Sequence, residues 1–403
     1  MKILFLTLYY IPESGAAQER IDSQVRHLKS KGHEIGILTC FPNYPGGSLY
    51  PGYRNRLFQR EDTDGIKVFR TWSFISPTKV FFPRVLGFIS FMFTSILASF
   101  MIGRYDVIIV EYPPLFTGIS GYLISRFKRS KFILHLSDLW VEAGIEFGIF
   151  RNKVLISFLL WTEKYLCRKA DKIVTVTEGC KKNLVEKNIT SSKIAVITNG
   201  VNTEVYQLLV DKDYLKRRLN FENRFIVTYA GTNGYIHGVG TIIEAAKLLE
   251  DKKNFLFLFI GDGSEKNRII QRAKELGLNN VKFFGQMEPK KLNEYLSISD
   301  IGIATLRNIP LSENALSVKM LAYMACKLPS IFSGKGVSKN VLEDSNAGIC
   351  IEPENPSKLA RAIKFLYENE EIRLRCGENG RKYVENHYCR GKLAERFEEV
   401  LIS

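Results

Sequence analysis

The sequence predicts an α/β protein of two domains, each on a mostly parallel sheet, facing each other across a cleft. Three observations predict it. A similar opening unit occurs twice, about 220 residues apart: KILFLTLYYIPESGAAQERIDSQVRHL from Lys2 and RFIVTYAGTNGYIHGVGTIIEAAKLL from Arg224. Each reads as a buried apolar strand, a small-residue loop and a helix with apolar residues at three- and four-residue spacing. Apolar strands then alternate with helical patterns through both halves, the signature of parallel sheets. Finally, 403 residues exceed what one core normally serves.

Composition sets the class. The chain is 45% hydrophobic and 25% charged, with no low-complexity tract or solenoid repeat. Seven cysteines lie scattered without C-x-x-C spacing, which reads as reduced, structural thiols in a cytoplasmic protein. MKILFLTLYY is too short an apolar run for a signal peptide and is read as the first strand. The net charge of +15 is uneven: residues 1–200 carry 27 Lys/Arg against 16 Asp/Glu, residues 201–403 carry 30 against 26. A basic first half fits nucleic acid, an anionic membrane face or a phosphorylated substrate. Without a nucleic-acid motif, the membrane surface is the expected partner and nucleic acid is not.

The elements follow in order. The first half gives strand 3–8, helix 17–31, strand 34–39, a connection rich in Pro, Gly, Tyr and Asn over 41–60, and strand 66–71. A connection of that length suits ordering over a ligand. DTDG at 62–65 is an Asp-Gly hairpin turn between LFQRE and IKVFR, not a D-x-D metal site, which would need more ligands. Further strands fall at 106–111, 131–136, 172–176 and 194–198.

Between them, VLGFISFMFTSILASFMI (85–102) runs eighteen residues without charge, bounded by Arg84 and Arg104. Gly87, Ser90, Thr94 and Ala98 form a small stripe opposite Leu86, Ile89, Phe93, Ile96 and Phe100. Such a helix can pack on a sheet, lie at a bilayer surface, or span. The first two readings stay open and crossing is the least favoured.

The domain boundary is expected within 198–206, dividing the chain into 1–205, 206–385 and a closing helix, 386–403, that returns to the first domain. The second half gives strands 225–230, 255–260, 281–284, 300–305 and short ones near 330 and 349. Its helices fall at 239–250, 264–276, 289–297, 314–325, 356–368, 370–386 and 391–402.

In open α/β sheets, ligands gather beyond the carboxyl ends of strands, where helix amides point outward. Those positions hold GTNGYIHG (231–238), GDG (261–263), FGQ (284–286) and PLSENALSVK (310–319). Small residues at Gly231, Thr232 and Gly234, and at Gly261, Asp262 and Gly263, let a phosphate or ribose approach the backbone. Glu313 is expected to precede a helix whose opening amides, on Asn314, Ala315 and Leu316, receive a diphosphate, with Lys319 adding a point charge. Alternatively Glu313 merely complements the helix dipole and Lys319 is solvated.

These pieces together resemble the GT-B glycosyltransferases of family 4, retaining enzymes that build bacterial surface polysaccharides. PESGAAQER (12–20) resembles the N-terminal glycine loop, and NYPGGSLYPGYRNRLFQRE with DGIKVFR (43–70) a subgroup of O-antigen and capsule assembly. EYPPLFTGISGY (111–122), LSDLW (136–140), ITNGVNTEVY (197–206), GDGSEK (261–266) and NPSKLARAI (355–363) also fit, in order and spacing.

The resemblance implies a second domain that grips the nucleotide sugar and a first that presents the acceptor. It places Gly15 against the donor diphosphate, Glu313 on the hydroxyls of the transferred sugar, and the amides of 314–316 on the phosphates. His135, at the end of a strand, matches a family histidine that touches the donor sugar, unless it is a satisfied core residue. Asp138 orients an acceptor hydroxyl. Front-face attack, with the leaving diphosphate helping to deprotonate the acceptor, needs no metal or other cofactor. His27, His33 and His387 show no metal spacing.

Three departures stand out. The paired acids E-x7-E are incomplete: counting on from Glu313 gives Leu321 and then Ala322, where the subgroup's second acid is expected. Losing its hydrogen bonds to the ribose costs about 1.5–3 kcal/mol, roughly ten- to a hundredfold in donor affinity. GTNGYIHGVG lacks the Arg and Lys common after the glycine loop, leaving His237 there and Lys319 as the leading phosphate partner. Ser137 and Val141 replace a basic residue and a proline beside DLW.

The expected function is retaining transfer of a sugar from a nucleotide donor, UDP-linked, to a lipid-diphosphate-linked glycan of O-antigen or capsule synthesis. Its place is the cytoplasmic face of the cell membrane, docked peripherally. One alternative is a catalytically weak relative that binds a glycan or partner; a nucleotide-sugar epimerase is the less favoured one. Without the resemblance, only a two-domain protein with a phosphate-bearing ligand remains.

Overall fold

The computed structural model describes residues 1–13, 15–44, 46–77, 81–209 and 211–402. Ser14 of the glycine loop and Pro45 of the 41–60 connection lie outside them. The chain divides into two compact units, Met1–Asn199 with Gly391–Ser403, and Gly200–Arg390.

The first unit begins β1 (Lys2–Leu6), α1 (Ala16–Ser30), β2 (Glu34–Cys40), β3 (Phe58–Thr63) and β4 (Ile66–Thr71). α2 (Phe81–Ser99), β5 (Val107–Tyr112), α3 (Leu115–Lys128) and β6 (Lys131–Leu136) follow. It continues with α4 (Trp140–Glu146), α5 (Lys153–Lys169), β7 (Lys172–Thr175), α6 (Glu178–Glu186) and β8 (Ile194–Val196). The sheet order is β3-β4-β2-β1-β5-β6-β7-β8, parallel except for the β3–β4 hairpin.

Strand alternation builds its core. Leu4, Leu6, Ile108, Val110 and Leu134 enter the cluster on one face; Ile3, Phe5, Ile37, Ile109 and Ile133 enter that on the other. Two-sided burial explains the apolar runs read in the sequence. The hairpin turns at Asp64 and Gly65 (φ 55° and 68°), the left-handed pair of a two-residue turn, with Thr63 opposite Ile66.

The small stripe of α2 packs inward. The Thr94 hydroxyl donates to Trp72 O (2.6 Å), Ser90 Oγ accepts from Phe74 N (2.8 Å), and a side chain at Gly87 would meet Phe74 O at 2.8 Å. The helix starts four residues earlier than expected and ends at Ser99, since Pro83 is tolerated in a first turn that needs no amide. The long connection is tied down: the Glu13 carboxylate accepts from Asn43 N (2.7 Å) and Tyr44 N (2.8 Å), and Arg70 lies over the Tyr53 ring.

The second unit runs α7 (Lys212–Arg218), β9 (Phe225–Ala230), α8 (Gly240–Leu248), β10 (Phe255–Ile260), α9 (Lys266–Glu275) and β11 (Val281–Phe284). Next come α10 (Pro289–Ile298), β12 (Ile301–Thr305), α11 (Pro310–Glu313), α12 (Val318–Ala325) and β13 (Ser330–Ser333). α13 (Val337–Ser345), β14 (Gly348–Ile351), α14 (Pro356–Glu368) and α15 (Glu370–His387) complete it. Its sheet, β11-β10-β9-β12-β13-β14, is parallel throughout. α16 (Arg390–Ile402) packs in the first unit, with Phe397 in ring contact with Phe5 at 6.4 Å.

One expected helix is corrected. The 314–325 helix begins only at Val318; before it lie the single turn α11 and an irregular stretch from Asn314 to Ser317. Ser338 holds that stretch open, its Oγ accepting from Ser317 N (2.8 Å) and donating to Ala315 O (2.8 Å). A side-chain tether thus replaces the helical ladder.

Candidate active site

In the second unit the carboxyl ends of β9, β10 and β12 converge. β9 runs into Gly231–Gly234, then a 3-10 turn over Tyr235–His237 closed by Gly238. Backbone approach there is closer than any side chain allows. A Cβ on Gly261 (φ 134°) would lie 2.1 Å from Gly231 O, and one on Gly263 (φ 156°) 2.5 Å from Asn233 O. Asn233 N donates to Asp262 O (2.8 Å), so the two loops are joined edge to edge.

Lys319, in the first turn of α12, passes beside Gly231, where an added Cβ would meet its Cε at 2.8 Å. Its Nζ donates to the Tyr229 hydroxyl (3.0 Å), lies over that ring (4.6 Å) and stands 3.2 Å from His237 Nδ1. Desolvation lowers the Lys319 amine to about 7. His237 is pushed down to about 2, first by desolvation and then by Lys319, so its ring is neutral and Nδ1 accepts. The result is a desolvated amine on a half-buried lysine, with no carboxylate partner among the described residues, beside two glycine-rich loops. A phosphate oxygen is the ligand that such an arrangement attracts.

Glu313 ends α11 and is exposed, as is Asn314. Its backbone presses against the loop after β13, where a Cβ on Gly336 would fall 1.9 Å from Glu313 O. The expected role of the next amides is corrected: Asn314 N and Ala315 N (3.2 Å) both donate to Ser312 O. Among the described residues, Leu316, Val318 and Lys319 have backbone amides without a backbone acceptor. The free donors are thus Leu316, one of the three expected, and two more at the start of α12. Thr232 and Asp262 are exposed at the loop tips.

The first unit holds Gly15, His135 and Asp138. Gly15 caps α1 in an extended conformation open to any residue; an added Cβ would meet only the flexible Gln18 side chain. His135 is fully buried, stacked on Phe397 (5.8 Å), with Nδ1 2.9 Å from Glu111 Oε1 and Nε2 without a hydrogen-bond partner among the described residues. Asp138, two residues beyond the β6 end at Leu136, reaches solvent although protein crowds it. Desolvation raises its carboxyl to about 6 against the pull of Arg20.

Arg20 organises this end of the sheet. It donates to Glu111 Oε2 (2.7 Å), Ser137 Oγ (2.8 Å) and Asn199 Oδ1 (2.6 Å), joining α1 to the strand ends. Despite its burial, Glu111 is held down to about 2 by Arg20 and then by His135.

Sequence models of two glycosyltransferase families match the chain. Residues 15–200 match the Glycosyl transferase 4-like domain, and residues 211–383 match Glycosyl transferases group 1. The chain belongs to the GT-B glycosyltransferases of family 4. An uncharacterized glycosyltransferase of Methanocaldococcus jannaschii is 23% identical over 99% of this glycosyltransferase and 98% of its own length. A Staphylococcus aureus capsular polysaccharide biosynthesis glycosyltransferase, CapM, is 23% identical over 62% of this chain and 65% of its own. Among solved structures, Anabaena HepE in complex with UDP-glucose superposes with a TM-score of 0.73 at 16% identity. The match covers 100% of this glycosyltransferase and 99% of HepE, a likeness of fold.

Sequence reasoning about this glycosyltransferase passed over Arg20, Glu111 and Asn199, although all three stand in its quoted motifs PESGAAQER, EYPPLFTGISGY and ITNGVNTEVY. It also missed Tyr229, which lies on the wholly buried strand β9. A tyrosine two residues before the first glycine of the loop was the available signal.

Proposed function

We propose that this glycosyltransferase moves a sugar, with retention, from a UDP-sugar to a lipid-diphosphate-linked glycan in bacterial surface polysaccharide synthesis. The observation that carries the donor half is the Lys319 amine beside the stacked Gly231 and Gly261 loops, without a carboxylate partner among the described residues. The amine and the opening amides of α12 would stabilise charge gathering on the departing diphosphate, where preorganised donors do most. Glu313, exposed beside them, would fix the hydroxyls of the transferred sugar. The diphosphate oxygen nearest the acceptor hydroxyl would take its proton as the new glycosidic bond forms on the face the UDP leaves. HepE, of the same fold, is described with UDP-glucose, and CapM as a capsule enzyme; both support this choice of donor and pathway class.

Asp138, at a sheet end tied together by Arg20, would orient the acceptor hydroxyl. His135 would act through Glu111 and Arg20 on that segment rather than on substrate. A reaction at the cytoplasmic surface of the membrane, where a lipid-linked acceptor would reside, is the reading that the basic first half and the apolar α2 support.

A panel of nucleotide sugars scored by protection from thermal unfolding tests the donor. Protection by UDP-sugars, with transfer to a lipid-diphosphate acceptor and an axial or equatorial linkage matching the donor, is the expected result. No protection by any UDP-sugar at millimolar concentration would favour the second reading, a glycan- or partner-binding relative, which Ala322 motivates.

A further inference from the structure

Three helices of the first unit expose apolar residues that no part of that unit covers. Phe93 on α2 is 58% exposed, Phe127 at the end of α3 63%, and Val154 and Trp161 on α5 are 80% and 61% exposed. α3 packs against both α2 and α5, and the rings link them. Phe100 meets Phe127 at 5.9 Å; Tyr122 meets Tyr165 edge-on at 5.7 Å; Tyr165, Trp161 and Phe158 stack in turn along α5 at 5.6 and 6.3 Å. An apolar face this continuous marks an interaction surface.

Charge says what covers it. The three helices carry seven Lys or Arg, among them Arg126, Lys153, Lys164 and Arg168. Their sole acid, Glu163, is buried and spent internally, accepting from Lys187 (2.7 Å) and Tyr112. A face of one sign repels a second copy of itself in a twofold contact. Exposed Leu86, Leu97 and Val154 offer nothing to hydrogen-bond a nucleic acid. Aromatic and aliphatic side chains rimmed by cations suit the boundary of acyl chains and anionic headgroups.

We infer that α2, α3 and α5 together form one docking surface for an anionic lipid bilayer, lying in its plane. The inference rests on the lipid-linked acceptor proposed above and extends it from α2 to a three-helix face in which Phe158 and Trp161 are anchors. Phe82–Ser99 is long and apolar enough to cross a membrane, but its small stripe is engaged on Trp72–Phe74, so in this fold one side cannot meet lipid.

The test is co-sedimentation of the full chain with phosphatidylcholine vesicles, with and without about a third phosphatidylglycerol. Binding is expected only with the anionic lipid and should weaken as salt rises from about 0.05 to about 0.5 M. Phe158→Ser with Trp161→Ser, and separately Phe93→Ser with Leu97→Ser, should each lower the bound fraction roughly tenfold. Circular dichroism and UDP protection check that the variants fold. Wild-type binding by the α5 variant would overturn the three-helix face. Absence of vesicle binding would overturn the docking itself, as would a dimer dissolved by the same substitutions in its place. Vesicle binding without any UDP protection would instead sink the UDP-donor reading of the second unit and leave the surface standing.

Discussion

Lys319 Nζ stands 3.2 Å from His237 Nδ1, a cation facing a neutral acceptor where a carboxylate would ordinarily be found. The sequence had offered these two residues as separate candidates. The fold makes them one unit, because the turn after β9 brings His237 back over the first turn of α12. Tyr229 completes it by donating to Thr232 O and accepting from Lys319.

That pairing predicts how donor binding depends on pH. The Lys319 amine sits near 7 against an ordinary 10.5, so it loses its charge as pH rises through neutrality. A bound diphosphate favours the ammonium, so binding takes up a proton above that point and UDP affinity should fall as pH rises from about 6 to about 9. Lys319→Met should bind UDP weakly and without this dependence, as read by isothermal titration. The linkage also has a stability side. Without ligand, the unfolded chain binds more protons than the folded one between about 7 and the ordinary value. Thermal stability from this group should therefore rise with pH across that window.

Glu313→Ala should lower kcat by roughly a hundredfold while leaving the melting temperature nearly unchanged. The side chain is exposed, and surface substitutions away from special features stay within about 0.5 kcal/mol. Parallel loss of turnover and stability would make Glu313 structural.

Glu111 gives a prediction of the opposite kind. Its carboxyl is held near 2, below an ordinary 4.5, by Arg20 and His135. A depressed acid contributes stability above its unfolded value and loses it as pH falls through the folded one, here between about 4.5 and about 2. Glu111→Gln should remove that acid-sensitive part. It should also cost about 3–5 kcal/mol at neutral pH, because Arg20 is left buried without its countercharge. Thermal unfolding across pH, on both proteins, reads both effects.

Strand positions were legible because two-sided burial writes continuous apolar runs: the 131–136 and 255–260 segments are strands at those residues. The hairpin was legible because Asp64-Gly65 can take a left-handed pair of conformations that few sequences tolerate. The break before α12 was not, because it depends on Ser338, a residue 21 positions beyond Ser317 whose hydroxyl replaces two helical bonds. Long-range tethers leave no periodic trace. The same holds at Arg20, whose partners Glu111, Ser137 and Asn199 come from three distant motifs that were each read alone. His135 ended its strand as expected, but the direction of its side chain was settled by Phe397, more than 250 residues away in sequence.

Gly261→Ala should disturb both glycine loops at once. The added methyl would meet Gly231 O at 2.1 Å, and the φ of 134° is strained for any other residue. A cost of about 1–3 kcal/mol in thermal stability is expected, with UDP binding weakened more than the stability loss explains. Gly277→Ala, at φ 67° but with open space around it, is the control that carries backbone strain without the collision.

Ala322→Glu would restore the acid that the family's pair of glutamates carries, and the fold makes the outcome two-sided. Ala322 is 8% exposed, in the third position of α12 after Lys319, with Leu321 and Tyr323 beside it in the core. A carboxylate there lacks water unless a ligand hydroxyl meets it, so the free protein should lose about 1–3 kcal/mol. A nucleotide ribose would supply the missing partners. UDP should then protect the variant from thermal unfolding more than it protects the natural protein, by a margin that recovers much of the loss. An equal loss with and without UDP would place the ribose elsewhere and leave Ala322 as a packing residue of α12.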